Sequence, residues 1–169
     1  MDAAALRTLQ APIKDRYRAE PDAAVVTLKA QGTLDDQSIA CKVETGRALA
    51  VAGLHPATGG SGAELCSGDM LLEALVACAG VTLKAVATAL AIPLRSGTVK
   101  AEGDLDFRGT LDVDKAAPVG FRAIRLFFEV DTEAPQEQVD QLLKLTERYC
   151  VVFQSLNHRP ELGVELRRA

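Results

Sequence analysis

Residues 67–90 read SGDMLLEALVACAGVTLKAVATAL, the most apolar long segment of the chain. Ser67 is placed to cap a helix, and Asp69 falls in its first turn, where the positive end of a helix favours an acid. Pro93 supplies the stop. Apolar positions cover nearly the whole circumference, so the segment is expected to be a helix buried on most sides. Gly80 in its interior lowers helix propensity and suggests close approach by another backbone. One cysteine, Cys78, lies at the middle. A buried free cysteine is ordinarily a small hydrophobe, so only the rest of the chain could make it reactive. A helix covered all round also needs more protein than one small sheet offers, which makes a second subunit an expectation.

Outward from this helix, the composition bounds the function. The chain has 169 residues, 48% hydrophobic and 25% charged, with a net charge of −4 and a pI near 5.2. That is a globular profile with no basic patch, and it argues against nucleic acid as the main partner. The densest basic pairs, Arg16 with Arg18 and Arg167 with Arg168, lie near the chain ends. The opening MDAAALRTLQAPIKDRYR interleaves acids and bases and has no apolar core of a signal peptide. The longest uncharged apolar run, Ala74–Leu83, is half of what a bilayer needs, so no membrane partner is expected. Four cysteines at irregular spacing contain no CxxC pair, which fits reduced thiols in a cytoplasmic protein better than a disulfide scaffold. Neither histidine, His55 nor His158, has a cysteine at zinc-ligand spacing, so no metal is expected. The glycine-rich loop HPATGGSGAELCS, residues 55–67, lacks the lysine-serine/threonine ending of a phosphate loop, and no cofactor is expected.

Period-2 alternation marks AVVTLKA (24–30), IACKVE (39–44) and ALAVA (48–52) as strands, with turn residues at 32–37 and a tight turn at Thr45-Gly46-Arg47. Beyond the helix, TVKAEGDLDF (98–107) and FRAIRLFFEV (121–130) read as an antiparallel pair. Pro135 opens a second helix, with Val139, Leu142, Leu143, Thr146 and Tyr149 at three- and four-residue steps. CVVFQSL from Cys150 continues or restarts that helix, and LGVEL (162–166) reads as a closing strand. Residues 3–18 have weak helical periodicity broken by Pro12. The expected organisation is an N-terminal arm over 1–23 and a single α+β domain over 24–169.

The order of these features carries more than composition does. A glycine pair, Gly59-Gly60, precedes SGDMLLEALVAC ending at Cys78. Glu147-Arg-Tyr-Cys150-Val-Val follows an antiparallel strand pair and an amphipathic helix. From about Lys42 to the C-terminus the chain resembles the OsmC/Ohr family, the osmotically induced protein C and organic hydroperoxide resistance proteins. The resemblance implies an OsmC-like intertwined homodimer, with antiparallel sheets around a long buried central helix and sites at the dimer interface. It implies that Cys78 attacks an organic hydroperoxide and that Cys150 resolves the resulting sulfenic acid, with an external dithiol as reductant. It also implies an activating arginine, for which Arg47 is the candidate, and a helix-start acid. Gly68 stands where that acid falls in the family pattern, and Asp69 is one position on. Valine also follows Cys150 where many members have proline. These departures raise the alternative of a family member without peroxidase activity that binds a small apolar ligand in the same pocket. Cys66, near the helix start, is a loop cysteine or an auxiliary thiol, and Cys41 is a core residue.

Overall fold

A computed structural model describes residues 2–19, 31–34, 40–44, 49–112 and 114–168. The expected strand at 24–30, the turn at 45–47 and Arg47 lie outside these residues. Helix α1 spans Ala3–Ala19. Asp2 starts it, accepting the Ala5 N–H at 2.8 Å, and the helix continues through Pro12 rather than breaking there. Strands β1 (Gln31–Leu34), β2 (Ala40–Glu44) and β3 (Leu49–Gly53) follow. After a short 3-10 turn at Pro56–Thr58 come β4 (Leu65–Cys66) and the long helix α2 (Ser67–Ala89). The rest is β5 (Ser96–Asp104), the one-turn helix α3 (Phe107–Thr110), β6 (Ala123–Asp131), α4 (Gln136–Tyr149) and α5 (Val151–Asn157).

Two sheets result. One has the order β1-β2-β3-β4 and the other is the antiparallel ribbon β5-β6. The register of β2 on β3 runs from Ala40 opposite Gly53 to Glu44 opposite Leu49. The long ribbon pairs Ser96 with Asp131 and Asp104 with Ala123, which bears out the expected strand pair. Two expectations change. Residues 31–34 are a strand paired with β2, although Gly32 and its polar neighbours suggested only a turn. Residues 162–166 are not in a strand within the chain.

The glycine pair before α2 has two separate causes. Gly59 takes φ of +92° to close the 3-10 turn, a conformation that costs other residues. Gly60 is hemmed in, because a Cβ there would lie 1.7 Å from the Leu54 carbonyl oxygen. This loop delivers the chain to Cys66, which caps α2 in place of Ser67 and makes no side-chain cap bond. Gly80 meets no backbone, since a Cβ would sit 3.7 Å from the Val99 side chain, an ordinary contact.

Helix α2 is buried on one face rather than all round. Its buried residues are Leu75, Ala79, Leu83, Val86 and Ala87, three to four residues apart along one stripe. The stripe packs on β5, α4 and α5. Leu83, Val86, Ala87, Ile92 and Leu142 form one core cluster. Leu75, Ala79 and Cys150 form a second, with Cys78, Val99, Ile124, Leu126 and Phe153 packed around it. Each fully buried leucine contributes roughly 1.5–3 kcal/mol. On the opposite face Val81 is 73% exposed. The most apolar 18-residue window of α2 has a mean hydropathy of 1.8 and is 22% buried. By length and composition such a helix could cross a membrane. Its apolar stripe is instead packed on protein, and Glu73 and Lys84 lie on its exposed side.

Candidate functional site

The site forms where α2 passes the junction of α4 and α5. Cys150 ends one of these helices and starts the other, with φ −74° and ψ 106° between two helical segments. Its N–H donates to the Thr146 carbonyl at 3.0 Å, and its carbonyl accepts the Gln154 N–H at 2.9 Å. The junction holds because Thr146 is itself buried and satisfied, its Oγ1 donating to the Leu142 carbonyl at 2.8 Å. An extended residue at this point leaves the first N–H groups of α5 without intrahelical partners. The Cys150 side chain makes no cap bond to them. The N–H groups of Val152 and Val151 face the Cys78 sulfur instead.

Cys78 reaches this junction from α2 and is half-buried, whereas Cys150 is 1% exposed. Both thiols are free, and they interact directly with each other. Burial pushes the Cys78 thiol up. The Val152 N–H, the Cys150 thiol, the Val151 N–H and the Thr82 hydroxyl outweigh burial and leave its pKa below the usual thiol value. The Thr82 hydroxyl is the weakest of these, because its single proton is shared with the Cys78 carbonyl, to which it donates at 2.8 Å. Cys150 moves the other way. Burial raises its pKa, the Phe153 N–H offsets part of this, and the neighbouring Cys78 raises it further. Two adjacent thiols cannot both ionise cheaply, so the first proton leaves Cys78 while Cys150 keeps its own and donates it as S–H.

The other candidates lie elsewhere. Asp69 is exposed and nine residues before Cys78, a helical rise of about 13 Å. It lines a small cavity of 150 Å³ with His55, Cys66 and Phe107. Cys66 is twelve residues from Cys78, or about 18 Å along the helix, so the structure does not bring it to the thiol pair. His55 stacks on Phe107 with ring centroids 4.9 Å apart, and its Nδ1 accepts the Ala57 N–H at 3.0 Å. Among the described residues no cluster of three histidine, cysteine or acidic side chains could hold a metal. What the sequence reading missed is the pair of valine N–H groups and Thr82. The hydroxyl has a readable signal, a threonine four residues after the cysteine. Backbone donors have none except the helix break at Cys150.

Beside the thiols, an open cavity of about 570 Å³ is lined by Leu71, Leu75, Phe121, Leu126, Phe153 and Leu156, with Arg122 and Arg159 also on its wall. Leu75, Leu126 and Phe153 also belong to the layer packed around Cys78 and Cys150. The wall is thus shared between an apolar cavity and the sulfur pair.

The profile of the OsmC-like protein family matches residues 60–165, well over half of the chain. No curated protein matches the chain by sequence. Among solved structures, the chain is similar to an OsmC-like protein from Mycoplasma pneumoniae, at 15% identity and a TM-score of 0.66, over 79% of this chain and 89% of that one. It is similar to an organic hydroperoxide resistance protein OsmC from Legionella pneumophila at 18% identity and a TM-score of 0.62, over 80% and 92%. A third likeness is to an organic hydroperoxide resistance protein from Elizabethkingia anophelis, at 14% identity and a TM-score of 0.64, over 80% and 91%. These identities establish the fold, and the profile match establishes more: the chain belongs to the OsmC-like family.

Proposed function

We propose that this protein is a homodimeric cytoplasmic thiol peroxidase that reduces organic hydroperoxides. The observation that carries the reading is the contact between two free thiols of opposite tendency, Cys78 favouring the thiolate and Cys150 the thiol. The thiolate is the nucleophile in thiol chemistry. Cys78 attacks the terminal peroxide oxygen, the O–O bond breaks, and the alkoxide leaves and takes a proton to become the alcohol. Cys78 is then a sulfenic acid, the first rung of cysteine oxidation. The Cys150 sulfur attacks it, an S–S bond forms and water leaves. An external dithiol returns both cysteines to thiols by disulfide exchange, and is itself oxidised. The apolar cavity sharing Leu75 and Phe153 with the sulfur layer favours alkyl peroxides over hydrogen peroxide, because burying the alkyl group gains binding energy.

The Val151 and Val152 N–H groups and the Thr82 hydroxyl are the activators the chain itself supplies to Cys78. This supports activity even with Gly68 in the position of the helix-start acid. Arg47 is proposed as a cation that joins the site in the dimer. Asp69 does not adjoin Cys78 within the chain and is proposed to act only if a second copy brings it there. The homodimer is supported by the exposed apolar face of α2. A second reading, a peroxidase-inactive protein that binds a small apolar ligand, is favoured by the size of the cavity alone.

Trapping with dimedone separates the two readings. Cys150→Ser protein treated with cumene hydroperoxide should accumulate a dimedone adduct on Cys78, and Cys78→Ser protein should give none. Absence of the adduct in Cys150→Ser, together with tight cumene binding, would favour the ligand reading.

A further inference from the structure

A thiol pair that has been oxidised must be opened again, and the two ends of the bond are not equally placed. Cys150 is 1% exposed and belongs to a buried cluster with Leu75 and Ala79. Its backbone is held on both sides, by the bonds to Thr146 and Gln154 that end α4 and begin α5. Cys78 is half-buried on α2, and Val151, whose N–H faces its sulfur, is 68% exposed. The two thiols already touch, so they join without bringing Cys150 to the surface.

In thiol–disulfide exchange a thiolate attacks one sulfur and the other sulfur leaves. Two factors choose the sulfur. The more acidic thiol leaves more readily, which favours attack on Cys150 and departure of Cys78. Access favours the opposite, because Cys150 is closed to solvent and Cys78 is not. Access decides, since a leaving-group difference scales a rate while a blocked approach removes it.

We propose that the external dithiol opens the Cys78–Cys150 disulfide at the Cys78 sulfur, so that the reductant is carried on Cys78 and Cys150 is released first. The proposal rests on the thiol-pair reading above and assigns the reductant its point of entry. The first thiolate of the reductant bonds to Cys78 as the Cys78–Cys150 bond breaks, and Cys150 leaves with the electron pair. Cys150 then takes a proton, favoured by the burial that raises its pKa. As a thiol it is a poor nucleophile, which slows its return to the mixed disulfide. The second thiolate of the reductant attacks the reductant's own sulfur in the mixed disulfide. Its ring closes, and Cys78 leaves as a thiolate, a departure that its depressed pKa assists. The reductant has lost two electrons and the protein has gained them.

The test needs no peroxide. The full chain is oxidised with diamide, which joins neighbouring thiols directly, and is then mixed with excess 2-mercaptoethanol. Acid quenching after a small fraction has reacted, followed by N-ethylmaleimide in denaturant, fixes the first products for peptide mass spectrometry. Mercaptoethanol on Cys78 with maleimide on Cys150 should outnumber the reverse arrangement by at least about tenfold. In urea, where both sulfurs are open, the bias should fall to within about threefold. Equal labelling of the two cysteines in the folded protein, or more on Cys150, overturns the proposal and leaves the peroxidase reading standing. A bias that urea does not reduce overturns it as well, because burial is then not its cause. The expected bias in a protein inert to cumene hydroperoxide sinks the peroxidase and leaves the point of entry standing. Thiols that diamide cannot join sink both.

Discussion

Cys78 sits in a half-buried position where burial opposes ionisation and four donors favour it. The donors have different roles, and substitution separates them. Thr82→Val keeps the size of the side chain and removes the hydroxyl, the weakest of the four, so alkylation near neutral pH should slow by no more than about twofold with little change in folding. In the parent protein the rate constant for iodoacetamide should be flat above the native Cys78 pKa and fall tenfold per pH unit below it. Its midpoint should lie below that of an exposed cysteine in an unstructured peptide under the same conditions. The sign carries to stability. A depressed thiol pKa stabilises the fold above the unfolded value, and that contribution is lost as pH falls through the native one. Cys150 has the opposite sense, and its raised pKa weighs against the fold at alkaline pH, once an unfolded thiol would ionise. Cys78 and Cys150 were singled out by the family resemblance, because a cysteine inside an apolar helix reads by itself as a small core residue. The valine N–H groups were not, because a backbone donor is aimed by the dihedral angles of Cys150 and leaves no trace in residue type.

Among the elements, α2 and the β5-β6 ribbon follow directly from periodicity. Nine residues on each strand pair in register, and SGDMLLEALVACAGVTLKAVATA forms one 23-residue helix. The first strand did not show, because Gly32 and its polar neighbours carry turn chemistry that pairing with β2 overrides. Within the chain β5, α4 and α5 cover only one stripe of α2, which is less cover than its apolar circumference led the sequence reading to expect with a second subunit. That stripe contains the stabilising contacts. Leu75→Ala, at a residue 1% exposed in the layer around the thiols, should lower the stability measured by urea unfolding by about 2–5 kcal/mol. Val81→Ala on the open face should change a monomer by less than about 0.5 kcal/mol. Gly60→Ala tests the loop, because its Cβ would meet the Leu54 carbonyl. The loop must shift to admit it, at about 1–3 kcal/mol.

Across the whole molecule, one pattern recurs: apolar surface that a single chain leaves open. It includes Val81 on α2, Val151 and Tyr149 at the thiol junction, and the tail from Leu162 to Leu166. Excess apolar character in α2 was readable from composition and pointed to another subunit, while the strand pattern at 162–166 was readable without its partner. What no sequence periodicity could supply is what covers these surfaces, because the spacing of apolar residues marks a face and not its partner. The thiol pair adjoins part of this open surface, through the half-buried Cys78 and the exposed Val151. Stopped-flow mixing of the reduced protein with one equivalent of cumene hydroperoxide tests whether Cys78 and Cys150 reduce peroxide as a pair. Peptide mass spectrometry of the acid-quenched product should show a Cys78–Cys150 disulfide formed within seconds, with one cumyl alcohol released per disulfide. Both cysteines remaining as thiols in excess hydroperoxide would contradict it.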